Sequence, residues 1–186
     1  MESYLDNLRL LDRRSFFYLN DLTRHSSNWR IFFHFFAEYG IVLIVIGLIY
    51  LIIRNRINAF FAAGLAIILS TITSFLVYLI WQRPRPYVTY AEVSKLVTHT
   101  SVNSFPSGHT FLSFAIAMVV LLYGHKKLGV LMFAVAILIA VSRVATGIHY
   151  FSDVIGGTII GMSGGILSYW VMESFERFWA DNSMSD

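Results

Sequence analysis

The stretch AEYGIVLIVIGLIYLII, residues 37–53, decides the kind of fold that this chain adopts. It carries one charged residue, Glu38, and ends at Arg54 and Arg56. Its length is close to the roughly 20 apolar residues that a helix needs to cross the hydrocarbon of a bilayer. Four more stretches of this kind follow along the chain. The five predicted spans are residues 37–53, 57–81, 107–123, 128–146 and 153–172.

The composition of the whole chain is typical of a membrane protein. Its 186 residues are 56% hydrophobic and 13% charged, whereas soluble domains are about 45–50% apolar and about 25% charged. We therefore expect an all-α, polytopic membrane helical bundle of five to six transmembrane helices, forming a single membrane-embedded domain over residues 1–186. The absence of cysteine excludes a disulfide framework and thiolate chemistry.

The charged residues are unevenly placed along the chain. The formal net charge is only +3 and no basic run is present, which excludes nucleic-acid binding through a basic tail and favours a lipid bilayer as the partner. Residues 1–30 are different, because five arginines alternate there with aspartates and apolar side chains. Such a segment is too charged to cross the bilayer, and we predict an amphipathic segment that lies at the membrane interface.

The last predicted span is rich in glycine, and several of its glycines have small-xxx-small spacing. They are Gly156, Gly157, Gly161, Gly164 and Gly165. We interpret them as sites where helices of the same chain approach closely, with a seam between two copies of the chain as the alternative. The sequence does not determine the oligomeric state.

Residues 82–106 form the one long polar connection between predicted spans. Loops of this length in a compact protein are usually functional, so we predict that this loop contributes to the active site. Each end of the loop carries a cluster of polar residues. The clusters are Arg83-Pro84-Arg85-Pro86 and Pro106-Ser107-Gly108-His109.

A third cluster joins the last two spans, where Ser142-Arg143 is followed by His149 and Asp153. Ionisable groups are costly inside a membrane, which makes each of these residues a candidate for a functional site. Two predicted spans separate the third cluster from the other two. Because two crossings return the chain to the face from which it started, all three clusters are predicted to meet at one membrane face.

The residue types in these clusters favour phosphate chemistry. Arg85 and Arg143, with Arg83 as a further candidate, offer planar guanidinium groups that match phosphate oxygens. Ser107 and Gly108 open a predicted helix, whose free backbone N–H groups attract an anion. We therefore predict that these residues bind a phosphoryl group, with no metal required.

Two histidines supply the chemistry that arginine lacks. A neutral imidazole can attack phosphorus, and a protonated one can give a proton to a departing oxygen. Asp153 follows His149 by four residues, a spacing that allows the carboxylate to hold one ring nitrogen and direct the other at a substrate. His109, His149 and Asp153 are therefore the predicted catalytic residues.

These clusters resemble the signature of the type 2 phosphatidic acid phosphatase superfamily. That signature has a basic stretch ending in Arg-Pro, then Pro-Ser-Gly-His, then Ser-Arg, five residues, His, three residues and Asp. The second and third parts are matched at every defining position by Pro106, Ser107, Gly108, His109, Ser142, Arg143, His149 and Asp153. The resemblance implies that Ser142 also belongs to the phosphate-binding set.

The first part of the signature is only half matched. Arg85-Pro86 fits it, but the usual lysine, seven residues earlier, falls on Tyr78. Either the phosphate pocket lacks one cation, or Arg83 takes the place of the lysine.

Within the superfamily, the chain is most similar to the bacitracin-resistance type of undecaprenyl-diphosphate phosphatase. The shared features are a short chain, Ala37-Glu38-Tyr39 and Arg85-Pro86-Tyr87-Val88. The resemblance implies hydrolysis of a polyprenyl (undecaprenyl) diphosphate to the monophosphate and phosphate, through a phosphohistidine at His149 and with His109 as the acid. It implies no cofactor. Gly108 departs from this subgroup, which often has Asp there.

Other functions remain open on the sequence alone. The same motifs suit a phosphatidylglycerophosphate or phosphatidic acid phosphatase, because they recognise the phosphate and not the lipid tail. A lipid phosphotransferase and a non-catalytic membrane protein are further alternatives.

The basic residues of the short connections indicate an orientation. Arg54, Arg56, Lys126 and Lys127 lie opposite the predicted site, and the positive-inside tendency places them in the cytoplasm. We therefore expect a multi-pass protein of the bacterial inner (plasma) membrane, with its active site facing the periplasm or cell exterior. The arginines of residues 1–30 argue for the opposite orientation.

Overall fold

The computed structural model describes residues 2–98 and 101–183 of the chain. Within these ranges the regular structure is helical, with one isolated β-bridge between Pro84 and Asn103. The protein is thus an all-α bundle, as predicted. The helices are α1 (Glu2–His25), α2 (Ser27–Ile53), α3 (Ile57–Ile80), α4 (Pro86–Thr89), α5 (Gly108–Leu122), α6 (Lys126–Ala145) and α7 (Phe151–Ser183).

Within residues 2–98 and 101–183, four helices, α2, α3, α6 and α7, are long and apolar enough to cross a membrane. The remaining predicted span, residues 107–123, corresponds to α5, which has only 15 residues and is about 22 Å long at 1.5 Å per residue. This helix lies at the centre of the bundle, in contact with α3, α6 and α7, and ten of its residues are buried. Because other helices surround it, α5 does not need to match the bilayer thickness.

The outer helices have one face towards the protein and an apolar face on the outside. The buried residues of α2 recur at intervals of three or four residues, from Phe33 through Gly40 and Ile44 to Leu51. Its other faces expose residues such as Ile46 and Ile49, which are also apolar. A helix that is apolar on all sides yet half exposed is typical of a bundle whose surroundings are lipid.

Three glycines of α7, namely Gly157, Gly161 and Gly165, are packed against the start and the body of the central helix α5. A Cβ atom on Gly157 would lie 2.8 Å from the carbonyl oxygen of Ser107, and one on Gly165 would lie 2.8 Å from that of Ala115. Gly161 faces the backbone of Phe111 in the same way. These contacts confirm that the glycines allow close helix packing within one chain.

Helix α1 packs against α2, α6 and α7 and has an unusual distribution of polarity. Its inner face mixes polar and apolar side chains, because Asn20 and Thr23 are fully buried beside Phe16. Its outer face exposes apolar side chains such as Leu11 and Tyr18. The segment predicted to be amphipathic is therefore largely a helix, and its location at the membrane interface stays a prediction.

The bundle has two ends with different contents. The ends of α3 and α6 and the beginnings of α5 and α7 meet at one end, where the three sequence clusters lie. At the other end, the connection at Asn55 and Arg56 meets Tyr123, His125 and Glu176 around a polar pocket of about 260 Å³. The predicted convergence of the three clusters is confirmed.

Candidate active site

The candidate active site is a pocket of about 430 Å³ at the cluster end of the bundle. Each of the three sequence clusters contributes to its wall, and α3 and the long loop contribute the remainder. The residues that line it are Thr71, Ser74, Phe75, Tyr78, Arg85, Ser101, Asn103, Phe105, Pro106, Gly108, His109, Arg143 and His149. The structure therefore brings both predicted catalytic histidines and two predicted phosphate-binding arginines to one cavity.

His149 lies in the short connection between α6 and α7 and is only 2% exposed. Its Nε2 atom is 3.1 Å from Nη1 of Arg85, which donates a hydrogen bond to it in the Nδ1-protonated tautomer. Its Nδ1 atom is 3.6 Å from Oδ2 of Asp153. That distance allows electrostatic attraction but exceeds a hydrogen bond, and such contacts often shorten when substrate binds.

The environment of His149 favours the neutral imidazole. Burial lowers its pKa from 6.5 to about 4, because an imidazolium would lose its hydration; Asp153 opposes this shift, while Arg143 and Arg85 reinforce it. At neutral pH the ring is therefore uncharged, with a lone pair on Nε2. That is the protonation state that a nucleophilic histidine requires.

Asp153 lies in the first turn of α7 and is fully buried. Its Oδ2 atom accepts a 2.8 Å hydrogen bond from the backbone N–H of Tyr150 and a short one from the Ser104 hydroxyl. The bond to Tyr150 is the backward half of a capping box, in which a side chain in the first turn satisfies the N–H that precedes the helix. The carboxylate facing His149 is thus fixed by the start of its own helix and by the loop.

Arg85 lies where the long loop leads into α4 and is 4% exposed. Its Nε donates to the carbonyl of Ser101 at 2.7 Å, and its Nη1 donates to that of Ile148 at 2.8 Å. Burial lowers the pKa of this guanidinium, with Tyr87 and Asp153 acting in the opposite direction. Because an arginine stays protonated in proteins, it is a fixed positive charge beside His149.

Arg143 is the second buried cation of the pocket, at 2% exposure. Its Nη1 donates to the carbonyl of Ala37 at 3.0 Å, which links α6 to α2. Its Nε has no hydrogen-bond partner among the described residues. The Nε–H group of Arg143 is therefore able to donate a hydrogen bond to a phosphate oxygen.

Helix α5 begins at the pocket with Gly108 and His109, and both residues line the wall. The first N–H groups of a helix have no partner within the helix itself, which makes this end a suitable place for an anion. A Cβ atom on Gly108 would meet nothing closer than Phe111, at 3.9 Å. Packing therefore does not require glycine at this position.

Three predicted phosphate-binding residues lie outside the pocket wall. Ser107 is fully buried at the start of α5, where its hydroxyl accepts a 2.9 Å hydrogen bond from Thr110. Ser142 is fully buried on α6, and its hydroxyl has no partner among the described residues. Nothing in the structure explains this last feature.

Arg83 is the third of these residues, and its guanidinium lies away from the pocket. It is drawn there by two carboxylates, at 2.7 Å from Asp12 and 3.3 Å from Asp153. Tyr78, the position on which the usual lysine of the signature falls, does line the pocket. The sequence left two alternatives: the pocket lacks one cation, or Arg83 replaces the lysine. The structure fits the first, because the guanidinium of Arg83 is not part of the pocket wall.

The structure also contains polar residues that the sequence interpretation missed. Asp12 bonds to Arg83 and Ser152, and Asn20 donates to the carbonyls of Ser94 and Ala145, each at 2.9 Å. A signal was available, because Asp12, Phe16 and Asn20 follow one another at intervals of four residues. Residues with that spacing share one face of a helix, so the two polar side chains lie on the same face as the aromatic Phe16.

Comparison with known proteins agrees with this site. Residues 59–177 match the model of the PAP2 superfamily, and this region contains every residue of the pocket wall. The chain belongs to the PAP2 superfamily. The resemblance inferred from the three clusters is therefore confirmed, and the superfamily supports a phosphatase function.

Two relatives match this chain over most of its length. The bacitracin transport permease protein BcrC of Bacillus licheniformis is 32% identical over 160 residues, which cover 84% of this chain and 78% of the relative. The undecaprenyl-diphosphatase BcrC of Bacillus subtilis is 28% identical over 155 residues, covering 81% and 79%. The predicted similarity to the bacitracin-resistance subgroup is thus confirmed.

A solved PAP2 structure has the same architecture. The crystal structure of Aquifex aeolicus LpxE superposes with a TM-score of 0.72 at 31% identity, and covers 85% of this chain and 94% of that protein. Together with the apolar helices, these relatives support a multi-pass membrane phosphatase.

Proposed function

We propose that this PAP2 phosphatase hydrolyses a polyprenyl diphosphate, such as undecaprenyl diphosphate, to the monophosphate and inorganic phosphate. The observation that carries the proposal is the meeting of His109, His149, Arg85 and Arg143 in one cavity. Two fixed positive charges suit a phosphoryl group, and two imidazoles suit its transfer. The similarity to undecaprenyl-diphosphatase BcrC supports the choice of substrate.

In the proposed complex, the terminal phosphoryl group lies between the two arginines and the start of α5. Arg143 donates through Nε, and the guanidinium of Arg85 turns from His149 Nε2 to a phosphate oxygen. The first N–H groups of α5 complete the set of donors. These groups stabilise the charge that builds on the equatorial oxygens in the transition state, so no metal ion is needed for that purpose.

In the first step, Nε2 of neutral His149 forms a bond to the terminal phosphorus. The bond from that phosphorus to the bridging oxygen breaks, and its electron pair stays on the oxygen, which takes a proton from the His109 imidazolium. The positive charge on the phosphorylated ring is stabilised by Asp153, 3.6 Å from Nδ1.

In the second step, neutral His109 removes a proton from a water molecule whose oxygen attacks the phosphohistidine. The phosphorus–nitrogen bond breaks, and its electron pair returns to Nε2 of His149. The products are the polyprenyl monophosphate and inorganic phosphate, and both histidines recover their first protonation states.

The position of the pocket suits a substrate that remains in the bilayer. Its wall includes Thr71, Phe75 and Tyr78 of α3, and all three belong to the exposed side of that helix. A lipid tail along α3 therefore reaches the pocket sideways.

The test is a comparison of phosphate release from three lipids in the same detergent micelles. We expect kcat/KM to be highest for undecaprenyl diphosphate and lower for phosphatidylglycerophosphate and phosphatidic acid. The His149→Gln variant serves as the blank for each lipid. A preference for either glycerophospholipid would contradict the substrate, and labelled phosphate appearing in a second lipid would indicate a phosphotransferase.

We further propose that the protein lies in the bacterial inner (plasma) membrane, with this pocket facing the periplasm or cell exterior. The chain has no cysteine, so a single introduced cysteine reports its own location. We expect an impermeant maleimide to label Val102→Cys, 61% exposed in the pocket loop, on intact cells. Asn58→Cys, at the opposite end, should react only after lysis, and the reverse result would invert the orientation.

A further inference from the structure

Arg83 is the centre of a polar cluster outside the pocket, to which the reaction above assigns no role. Its Nη1 donates to the Ser152 hydroxyl at 2.6 Å and to Oδ1 of Asp153 at 3.3 Å, and its Nη2 donates to Asp12 at 2.7 Å. Its guanidinium also lies 3.6 Å from the centre of the Tyr150 ring. The side chain is therefore fixed from several sides.

Asp12 connects this cluster to the first helix. It accepts hydrogen bonds from the backbone N–H and from the hydroxyl of Ser152, both at 2.8 Å, in addition to the bond from Arg83. Its side chain is only 11% exposed. Helix α1 is thus bonded to the start of α7, next to the buried carboxylate of Asp153.

The two oxygens of Asp153 have different neighbours. Oδ1 receives the bond from Arg83, whereas Oδ2 faces Nδ1 of His149 and receives the bonds from Ser104 and Tyr150. The contact with Arg83 therefore adds to the bonds from Ser104 and Tyr150 in keeping Oδ2 directed at His149. It also places a positive charge beside a carboxylate that is fully buried, and burial of an unpaired charge is costly.

We propose that Arg83, held in place by Asp12, is a positioning residue that keeps Asp153 charged and directed at His149. Through this chain of contacts, α1 is part of the catalytic apparatus although it contributes nothing to the pocket wall. The inference rests on the proposed function, because it concerns the contact between Asp153 and His149 during phosphoryl transfer. It differs from a direct role in substrate binding, since Arg83 is bound to two carboxylates.

The test separates an effect through Asp153 from an effect on the substrate or the fold. Phosphate release is measured for the wild type, Arg83→Gln, Asp153→Asn and the double variant, with kcat expressed per molecule that binds vanadate. We expect Arg83→Gln to lower kcat by about 10-fold to 100-fold, the range seen when a residue that orients a functional side chain is replaced. KM should change less than about twofold, whereas the loss of a residue that binds substrate would raise KM.

The decisive comparison is in the Asp153→Asn background, where residual turnover is followed over long incubations. There, Arg83→Gln should change kcat by less than about twofold, because the group through which it acts is already gone. An undiminished effect in that background would overturn the proposal. So would a rise in KM without a fall in kcat, or an unchanged kcat per vanadate-binding molecule.

A matched pair of variants tests the role of α1. Asp12→Asn should lower kcat by about three-fold to ten-fold, because Arg83 loses its partner but not its contact with Asp153. Asp21→Asn is the control: Asp21 lies on the same helix and bonds to Arg24 at 3.3 Å on the exposed side. Equal kcat values for the two variants would overturn the role of α1. Failure of the proposed function would be seen separately, as a wild type that releases no phosphate from any lipid.

Discussion

The two sides of the Asp153 carboxylate are built differently. On the pocket side, Arg143 Nε and His149 Nδ1 are buried without a hydrogen-bond partner among the described residues. On the α1 side, Asp12 and Arg83 bond to each other and to the first turn of α7, at distances of 2.6 to 2.8 Å. One side holds unpaired polar atoms, and the other holds a cluster that is paired throughout.

This difference indicates how stability and reactivity are distributed. A buried polar atom without a partner costs about 1–3 kcal/mol. Arg143 Nε can gain its partner from a bound ligand, and His149 Nδ1 can gain one when its 3.6 Å contact with Asp153 shortens in the reaction. A paired cluster holds its members in one geometry before the ligand arrives. The pocket side is therefore suited to binding and reaction, and the α1 side to support. The predictions below test that division.

The largest effect is expected at His149 on the pocket side. His149→Gln removes the proposed nucleophile and should lower turnover by at least about 10³-fold, while vanadate binding by the arginines is retained. Phosphate release and vanadate titration on the same sample measure the two properties. His25→Gln, at the exposed end of α1, is the control and should behave as the wild type. Turnover close to that of the wild type in His149→Gln would exclude the mechanism.

A smaller loss is expected when a donor is removed from the pocket. Arg143→Ala should lower kcat by about 10²-fold to 10³-fold, because the transition state loses a preorganised donor. Arg143→Lys should recover only part of this loss, because an ammonium keeps the charge but lacks the planar fork. Measurement of kcat for phosphate release by both variants tests this prediction. Full activity in Arg143→Lys would mean that charge alone matters on this side.

The pH dependence of His149 follows from its burial. With a pKa of about 4, the ring stays neutral from pH 7 to about pH 5 in the ligand-free protein. Since the unfolded chain binds this proton at a higher pH, the free energy of unfolding should fall as the pH drops from about 6.5 towards 4.

NMR of ¹⁵N-labelled histidine, assigned with His149→Gln, measures the midpoint of the His149 titration. Vanadate should raise it, because a nearby anion favours the charged ring. A midpoint near 6.5 without ligand would contradict this prediction.

The smallest effect is expected at Gly108. Since a Cβ atom there would meet only Phe111, at 3.9 Å, Gly108→Ala should leave the unfolding temperature nearly unchanged. Turnover should fall by less than about threefold if the phosphoryl group leaves this space open. Gly157→Ala is the contrasting variant, since its Cβ would lie 2.8 Å from the Ser107 carbonyl, and it should lower the unfolding temperature. A large loss of turnover in Gly108→Ala without destabilisation would place the phosphoryl group directly against residue 108.

Much of the pocket side could be predicted from the sequence. Apolar length gave the spans, and the even number of crossings brought His109, His149, Arg85 and Arg143 together. Both arguments work because hydropathy is a strong, local signal in a membrane protein.

The α1 side could not be predicted in the same way. The position of Arg83 is set by Asp12, which lies 71 residues away in the chain, and no local pattern records that pairing. Proximity in sequence to Arg85 suggested a shared role, but residues two apart do not have to share a contact. The result is that two arginines separated by one proline have separate environments.

The shortness of α5 has a consequence for where the reaction takes place. This helix begins at the pocket and is about 8 Å shorter than the roughly 30 Å thickness of the hydrocarbon layer. If its far end is level with the lipid headgroups, the reacting phosphorus lies in a recess beneath the opposite surface. The headgroup of the substrate must then move below the level of the surrounding headgroups to be cleaved. The distance that it moves should change with the acyl-chain length, and so the thickness, of the bilayer.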